Sequence, residues 1–440
     1  MRRRQMLKGA AAAVLAAPAV AGAAEEDLTA VAPKAWLFCL PLIEMAAARS
    51  RMTDPASVGQ HAGVNRFSHA RALVGPDDRM ITTPNNDTLY SSAFIDLTRG
   101  PLRLTVPDAG RRYFSVAVMD MYTANAVVLG ARTPGGAAGP WRLLAPGAKA
   151  EGPRDIVVPT PHAWVLGRTL TSGAGDLLEA HSVQDGLVLE GPSAPEPAPY
   201  ARRSDGALPF FASAADLINS DPPLDKAGFD AFQRLRAATR AGVFEPGAFA
   251  TDTLARIEAA LSRTSAFIET AGGQVRFDQG WSYPRPSLGL YGADYAYRAA
   301  VSVAGLGALP VREAMYLRAQ APGGDHRFSG DGEFLFRLPG QIPVDGFWSL
   351  TMYEITADGQ FYLTHNRLNR YAIGDRTPGL RRGPNGSLEI RIGRRDPGGE
   401  LSSNWLPAPE RGDYAMTLRC YLPRQELLSG AYRAPSIVRV

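Results

Sequence analysis

Short apolar runs separated by turn residues dominate the chain from about residue 65 to 190. One run covers residues 102–106 and ends at Pro107, and others cover residues 113–119 and 163–166. Runs of this length between turn residues are typical of β-strands. Comparable runs return at residues 332–338, 347–353, 388–392 and 415–419. The pattern therefore predicts two β-rich regions.

Apolar positions with a helical period lie before and between these regions. Residues 25–50 predict a helix that Pro41 kinks or breaks. Leu254, Ile257, Leu261 and Ile268 form one helical face. Residues 185–206 are rich in Pro, Gly and Ser, which ends the first β-rich region. We expect an N-terminal helix plus a first β domain over 24–206, a helical connector over 207–272 and a second β domain over 273–440.

Two segments of the first β-rich region recur in the second. Residues 125–135 return as residues 369–379 with six of eleven positions identical. Residues 114–120 and 348–354 share the order aromatic, Ser, aliphatic, small, aliphatic, spacer, acid. Such self-similarity predicts one β-rich unit used twice. The two units should superpose with Asn125 over Asn369 and Asp120 over Glu354.

The first 23 residues have the features of an export signal. Arg3-Arg-Gln-Met-Leu-Lys8 resembles the twin-arginine motif, an Ala-rich apolar stretch follows, and Ala21-Gly-Ala23 offers a cleavage site. The apolar stretch is too short to span a bilayer. We expect a periplasmic protein, exported by the twin-arginine route and without stable membrane anchoring after cleavage.

Charge and composition narrow the class of partner. The net charge of +4 comes from the signal segment, which holds four basic residues and no acid, so the remainder is balanced. With no basic run, the remainder gives no case for a nucleic-acid partner. The expected partner is a small polar molecule or a glycan, and oligomerisation is left open. Cys39 and Cys420 are expected to be two buried thiols. None of the six His residues lies in a metal-binding motif, so we expect neither a metal nor another cofactor.

Two groups of polar residues are candidates for chemistry in the first unit. Asp120 closes an apolar stripe on its strand, where it is a catalytic acid or base, or a structural acid. Asp87 lies among Asn85, Asn86 and Tyr90, which orient a polar ligand or form an Asx turn. Both readings stay open for both acids. The substrate-binding candidates in full are Asn85, Asn86, Tyr90, Tyr122, Asn125, Asn369 and Arg370.

The same residues carry a family resemblance. Thr83-Pro-Asn-Asn-Asp-Thr-Leu-Tyr90 and Asp120-Met-Tyr122 resemble the bacterial domain of unknown function 1254. Phe347-Trp-Ser-Leu-Thr-Met-Tyr353, Asn369-Arg-Tyr371 and Asn404-Trp-Leu-Pro-Ala-Pro409 resemble its usual partner, domain of unknown function 1214. The resemblance implies two jelly-roll-like β sandwiches joined by helices, with an architecture like that of amidases acting on asparagine-linked glycans.

Two functions follow from these observations. The first is a hydrolase acting on a polar glycan- or amide-like substrate in an interdomain cleft, where Asp87 and Asp120 face one pocket. The second is a non-catalytic periplasmic protein for ligand binding or envelope interaction that uses the same cleft. A raised Asp pKa beside a second carboxylate would favour the enzyme, and hydrogen-bonded carboxylates on an aromatic surface would favour binding.

Overall fold

The computed structural model describes residues 27–440 except 58, 80, 81, 199, 225, 237–248, 271–275, 326 and 358. The signal segment 1–23, with Arg3 and Arg4, lies outside the described residues. The strands form four sheets, and five of the helices gather in one cluster. The prediction of a mainly β protein with additional helices is confirmed.

The first nine strands build two sheets that pack face to face. Sheet 1 has the order β1-β2-β8-β4-β5 and is antiparallel throughout, and sheet 2 has the order β7-β6-β3-β9. Alternate side chains of both sheets, such as Val116, Val165 and Leu104, form the core between them. The strands are β1 Ser68–His69, β2 Thr88–Asp96, β3 Leu102–Val106, β4 Phe114–Asp120, β5 Asn125–Gly130, β6 Gly139–Leu144, β7 Asp155–Val157, β8 His162–Leu170 and β9 Val188–Glu190.

The remaining strands build a second pair of sheets. Sheet 3 has the order β10-β11-β12-β19-β14-β15 with β16 also beside β14, and sheet 4 has the order β18-β17-β13-β20. Leu350, Leu418, Phe336 and Ile390 lie in the core between them. The strands are β10 Phe277–Asp278, β11 Trp281–Ser282, β12 Ala314–Ala319, β13 Phe334–Leu338, β14 Trp348–Ile355, β15 Phe361–Tyr362, β16 Ala372–Gly374, β17 Leu388–Gly393, β18 Trp405–Pro407, β19 Tyr414–Tyr421 and β20 Ile437–Arg439.

Five helices share one core with the outer face of sheet 1. That core joins α1, α3, α4, α5 and α6 to Phe94, Met119 and Trp164 of the sheet. The helices are α1 Leu28–Thr53, α2 Leu177–Asp185, α3 Ala207–Ser220, α4 Lys226–Arg236, α5 Thr251–Thr270, α6 Tyr295–Ala304 and α7 Gln425–Ser429. The predicted connector 207–272 is thus part of a larger helical layer. This helical layer also contains α6, which lies in the segment 273–440 that the sequence assigns to the second β domain.

Helix α1 continues through Pro41, so the predicted break does not occur. The helix is long and apolar enough to cross a membrane by length and composition, but 67% of its most apolar window is buried inside the protein. Packing against α4, α5 and α6 offsets the hydrogen bonds that proline removes. Cys39 of α1 and Cys420 of β19 are both buried and free, as predicted.

The recurring segments occupy corresponding strands with the same register. Ser115 of β4 lies between Gly130 and Arg168, and Ser349 of β14 lies between Gly374 and Arg419. The turns match as well, because each glycine N–H donates to the Thr hydroxyl three residues later, at 2.8 Å and 2.9 Å. The local structure therefore repeats over these strands and turns, but not at the first residue of the repeat, because Asn125 is buried in β5 whereas Asn369 is exposed before β16.

Sheets 1 and 3 face each other with the sides that point away from their own cores. Tyr113 and Leu170 of the first unit pack there against Phe347 and Tyr421 of the second. The rings of Phe347 and Tyr421 stack with centroids 4.2 Å apart. This contact between the two sheet pairs positions the polar residues described next.

Candidate functional site

An arginine and a tyrosine lie side by side on each of the two facing sheets. Tyr90 is the neighbour of Arg168 in sheet 1, and Tyr316 is the neighbour of Arg419 in sheet 3. The adjacent apolar positions of these strands point into the cores, so all four side chains point the other way. We call Tyr90, Arg168, Tyr316 and Arg419 the arginine–tyrosine site.

Arg168 is as deeply buried as Arg419, with 4% of each residue exposed. Its guanidinium carbon lies 5.4 Å from the centroid of the Tyr90 ring, and Tyr316 is within electrostatic range. Nη2 donates to the carbonyl oxygen of Gly307 at 2.7 Å. Nη1 is buried and has no hydrogen-bond partner among the described residues. An unsatisfied buried donor of this kind costs about 1–3 kcal/mol.

Arg419 occupies the corresponding position in sheet 3 but is fully engaged by the chain. Its Nη1 donates to the Thr351 hydroxyl at 2.8 Å. Its Nη2 donates to the carbonyl oxygens of Thr83 and Pro84 at 3.1 Å and 3.3 Å. The segment before β2 therefore supplies oxygen atoms to Arg419, whereas one side of Arg168 is left without them.

A third arginine, Arg318, follows two positions after Tyr316 on the same face of β12. Its guanidinium lies 5.0 Å from the centroid of the Phe361 ring, and burial lowers its pKa. Within the described ranges, no carboxylate forms a salt bridge with Arg168, Arg318 or Arg419. The space between sheets 1 and 3 is therefore lined by cationic side chains and tyrosines, with the carboxylates of Glu313 and Asp87 within electrostatic range.

Asp87 and Asn85 border this site at the end of β2. The Asp87 carboxylate accepts from the Ser349 hydroxyl at 2.6 Å and from Arg376 Nη2 at 3.4 Å. The Asp87 N–H donates to the Asn85 side chain, which is the Asx turn that the sequence left open. Asn85 Nδ2 also donates to Tyr421 Oη at 2.8 Å. Asp87 is thus a hydrogen-bonded acid that links the two sheet pairs.

Asp120 lies at the opposite end of sheet 1. Thr88, next to Asp87, pairs with Leu170 of β8, while Asp120 pairs with Ala163. Leu170 lies seven positions after Ala163, which corresponds to roughly 23 Å of strand. The prediction that Asp87 and Asp120 face one pocket is therefore wrong, because both acids belong to one sheet but to opposite ends of its strands.

Asp120 is buried beside the helical layer. Its Oδ1 accepts from the backbone N–H groups of Tyr122 and Ala124, both at 2.9 Å. Burial raises the pKa of Asp120 to about 6. The Tyr122 hydroxyl donates to the Asp221 carbonyl oxygen, and His162 Nδ1 lies 3.0 Å from the Asp221 carboxylate. These contacts hold the end of α3 against sheet 1.

The other predicted ligand-binding residues mostly contact backbone oxygens. Asn86 Nδ2 donates to Val74, and Asn125 Nδ2 donates to Gly289 and Ala308. Arg370 Nη1 donates to the carbonyl oxygens of Ser402, Ser403 and Trp405. Asn369 is exposed with a φ of 48° and accepts from the Tyr371 hydroxyl. Of these residues only Asn86, the chain neighbour of Asp87, lies beside that acid, and no hydrogen bond among the described residues joins Asn125, Asn369 or Arg370 to it.

One serine–histidine pair was not anticipated from the sequence. His69 Nδ1 lies 2.8 Å from the hydroxyl of Ser91, to which Gln184 Nε2 also donates at 3.3 Å. Ser91 is 0% exposed. A substrate cannot reach a hydroxyl group that is fully enclosed, so this pair has a structural role.

Two cavities in the described part of the chain are lined neither by the predicted site residues nor by the arginine–tyrosine site. A groove of about 360 Å³ lies on sheet 2 beside Arg103, Arg142 and Glu190. A second cavity lies inside the core next to Cys420. The described part of the chain contains no cluster of three or more His, Cys, Asp or Glu residues that could hold a metal.

Sequence reasoning missed Arg168, Tyr316 and Arg419. A signal was available, since each arginine stands inside an otherwise apolar run: Trp164-Val-Leu-Gly-Arg168 and Met416-Thr-Leu-Arg419. A charge is rarely buried in a strand unless it has a partner or a function. The neighbouring tyrosines could not be assigned without the sheet register.

Two family models match the chain in the expected order. The protein of unknown function DUF1254 matches residues 64–191, which include sheets 1 and 2. The protein of unknown function DUF1214 matches residues 313–425, which include most of sheets 3 and 4. No curated protein matches the chain.

A solved structure shows the same fold, and a second one is less similar. The VPA0106 protein from Vibrio parahaemolyticus is 21% identical, with a TM-score of 0.68 over 94% of this chain and 100% of that chain. An uncharacterised protein from Burkholderia cenocepacia is 14% identical, with a TM-score of 0.43 over 91% of this chain and 92% of that chain. At this identity the first likeness supports the fold alone.

Proposed function

This chain belongs to the proteins that join a DUF1254 domain to a DUF1214 domain, and on that premise we propose that it binds a small polar molecule at the arginine–tyrosine site. The observation that carries the proposal is Arg168, a nearly fully buried arginine with a donor that lacks a partner among the described residues. A folded protein gains stability when a ligand satisfies such a donor. Tyr90 and Tyr316 flank the guanidinium, and Asn85 and Asp87 border the site.

Binding is a better account than hydrolysis because Asp87 and Asp120 lie far apart and both carboxylates already accept hydrogen bonds from the protein. Asp87 accepts hydrogen bonds from Ser349 and Arg376, and Asp120 accepts two backbone hydrogen bonds at the other end of the sheet. Paired carboxylates in glycoside hydrolysis lie within about 10 Å of each other, far less than the spacing here. The hydrolase hypothesis therefore loses the pair of acids, Asp87 and Asp120, on which it rested.

The test compares three variants of the exported protein. Arg168→Met removes the donors, Arg168→Lys keeps the charge, and Arg337→Met is a matched change of an exposed strand arginine. Native mass spectrometry and a thermal-shift screen of polar metabolites should find a ligand for the wild type and Arg337→Met but not for Arg168→Met. Circular dichroism checks the fold. A ligand that stabilises Arg168→Met as much as the wild type would exclude this site.

Two further proposals concern the evolutionary origin of the two sheet pairs and the cellular location of the protein. We propose that the two sheet pairs descend from one duplicated, jelly-roll-like unit, supported by the shared register of the recurring strands. We also propose that the protein works in the periplasm after twin-arginine export. The support for this is the signal-like sequence of residues 1–23.

A further inference from the structure

We infer that the ligand of the arginine–tyrosine site carries a carboxylate, and that its oxygen atoms fill the unsatisfied side of Arg168. This inference rests on the proposed function and specifies the chemistry of the ligand. Three features support it: the charge of the site, the contrast between Arg168 and Arg419, and the side chains around Arg168.

The charge of the site favours an anion. Arg168, Arg318 and Arg419 form no salt bridge with any described carboxylate. Two carboxylates lie within electrostatic range, Glu313 near Arg168 and Asp87 near Arg419, but Glu313 accepts from the Tyr113 hydroxyl and Asp87 is bonded to Arg376. A guanidinium remains charged at any physiological pH. Three buried or partly buried cations beside two carboxylates leave an excess of positive charge, which an anion would reduce and a neutral ligand would not.

Arg419 of the second sheet pair shows which partners an arginine has at the equivalent position. Arg419 binds three oxygen atoms, those of Thr351, Thr83 and Pro84. Arg168 binds one, from Gly307, although it has the same strand register beside a tyrosine. The missing partners of Arg168 are therefore oxygen acceptors. The chain provides them for one half and leaves them to a ligand in the other.

The walls around Arg168 favour a carboxylate over a phosphate. A guanidinium fork can bind either anion, but a doubly charged phosphate is usually bound by several donors, and Nη1 of Arg168 is a single buried donor without a partner among the described residues. Trp164 and Leu166 pack closely against Gly307, at 3.1 Å and 3.2 Å from a methyl group added there, so this side of Arg168 is apolar and filled. The rings of Tyr90 and Tyr316 beside Arg168 suit an anion attached to a flat apolar body.

Matched small molecules provide the test. Benzoate and benzamide have nearly the same shape and differ in charge, acetate lacks the ring, and inorganic phosphate is the alternative anion. Binding is measured by isothermal titration calorimetry and by ligand-observed NMR with wild type, Arg168→Met, Arg168→Lys and Arg337→Met. We expect benzoate to bind the wild type and Arg337→Met, with benzamide at least tenfold weaker. Arg168→Met should lose benzoate binding, and Arg168→Lys should retain part of it.

Several results would overturn the inference. Equal binding of benzamide and benzoate, phosphate binding more tightly than both carboxylates, or full benzoate binding by a folded Arg168→Met each contradicts a carboxylate on Arg168. Failure of both carboxylates to bind also contradicts it. If the metabolite screen then finds a neutral ligand that depends on Arg168, the proposed function stands and the ligand chemistry is wrong.

Discussion

At the scale of single residues, the environment of a charge matters more than its place in a motif. Arg168 and Arg419 occupy equivalent positions, yet one guanidinium is fully engaged by backbone and hydroxyl oxygens and the other is not. Asp87 and Asp120 show the same contrast. The first is held by a hydroxyl and an arginine, whereas the second is buried against backbone N–H groups.

Asp120 should make stability depend on pH. Burial raises its pKa from 3.8 to about 6, so at intermediate pH the folded protein keeps a proton that the unfolded chain releases. The free energy of unfolding should therefore fall as the pH rises from about 4 to about 6, by up to about 3 kcal/mol. Asp120→Asn should remove this fall, since the amide oxygen can still accept from Tyr122 and Ala124.

Urea denaturation at pH 4 and pH 7.5 measures this difference. Asp108→Asn is the matched control, because Asp108 also accepts the N–H two residues later but is exposed. From pH 4 to pH 7.5, the free energy of unfolding should fall more for the wild type and for Asp108→Asn than for Asp120→Asn. An identical pH dependence in all three proteins would show that Asp120 does not carry a raised pKa.

At the scale of elements, the repeated strand and turn fix the local geometry of both halves. Gly130 and Gly374 lie where the second strand of each repeat passes the first very closely. An added Cβ would lie 2.8 Å from the Phe114 carbonyl oxygen in one case and 2.1 Å from that of Trp348 in the other. Glycine is thus required for close backbone approach, which explains its place in both copies.

Gly374→Ala should destabilise the second sheet pair. The new methyl group overlaps backbone atoms of β14, which cannot move without disturbing its hydrogen bonds with β16 and β19. We expect a loss of about 1–3 kcal/mol in the free energy of unfolding, as for other overpacked sites. Gly152→Ala is the control, because no atom lies within 4 Å of its added Cβ. Equal stability of the two variants would contradict the close approach.

At the scale of the whole molecule, two sheet pairs and a helical layer meet around sheet 1. One part of its outer face packs against the helices and another part against sheet 3. Sheet 1 is therefore buried on both faces, which agrees with the burial of every residue of β4. A single sheet thus couples the helices to the second half of the protein, and the arginine–tyrosine site lies at that junction.

Export of the whole molecule should depend on Arg3 and Arg4. Twin-arginine transport requires both arginines, so Lys at both positions should leave the unprocessed precursor in the cytoplasm. Cell fractionation followed by N-terminal sequencing of the periplasmic protein measures this. Substitution of the Arg66 and Arg99 side chains by Lys is the control and should leave export unchanged. Wild-type amounts of the double Arg3/Arg4 variant in the periplasm would exclude this route.

The sequence by itself determined the features that depend on neighbours along the chain. The spacing of apolar residues predicted the β-rich regions and the helices, and the repeat located β4, β5, β14 and β16 with their turn glycines. The sequence also offered an Asx turn at Asp87 as one of two interpretations, and the structure contains this turn. These features follow from backbone geometry over a few residues, which local sequence specifies.

Only the tertiary structure decided which distant residues meet. Sheet order separates Asp87 from Asp120 and places Arg168 beside Tyr90 and opposite sheet 3. Packing carries α1 through Pro41 and draws α6 into the helical layer. Strand order and layer packing depend on burial of whole faces rather than on any short segment. The position of the candidate site was therefore beyond the reach of the sequence, although the two arginines within apolar strands were visible in it.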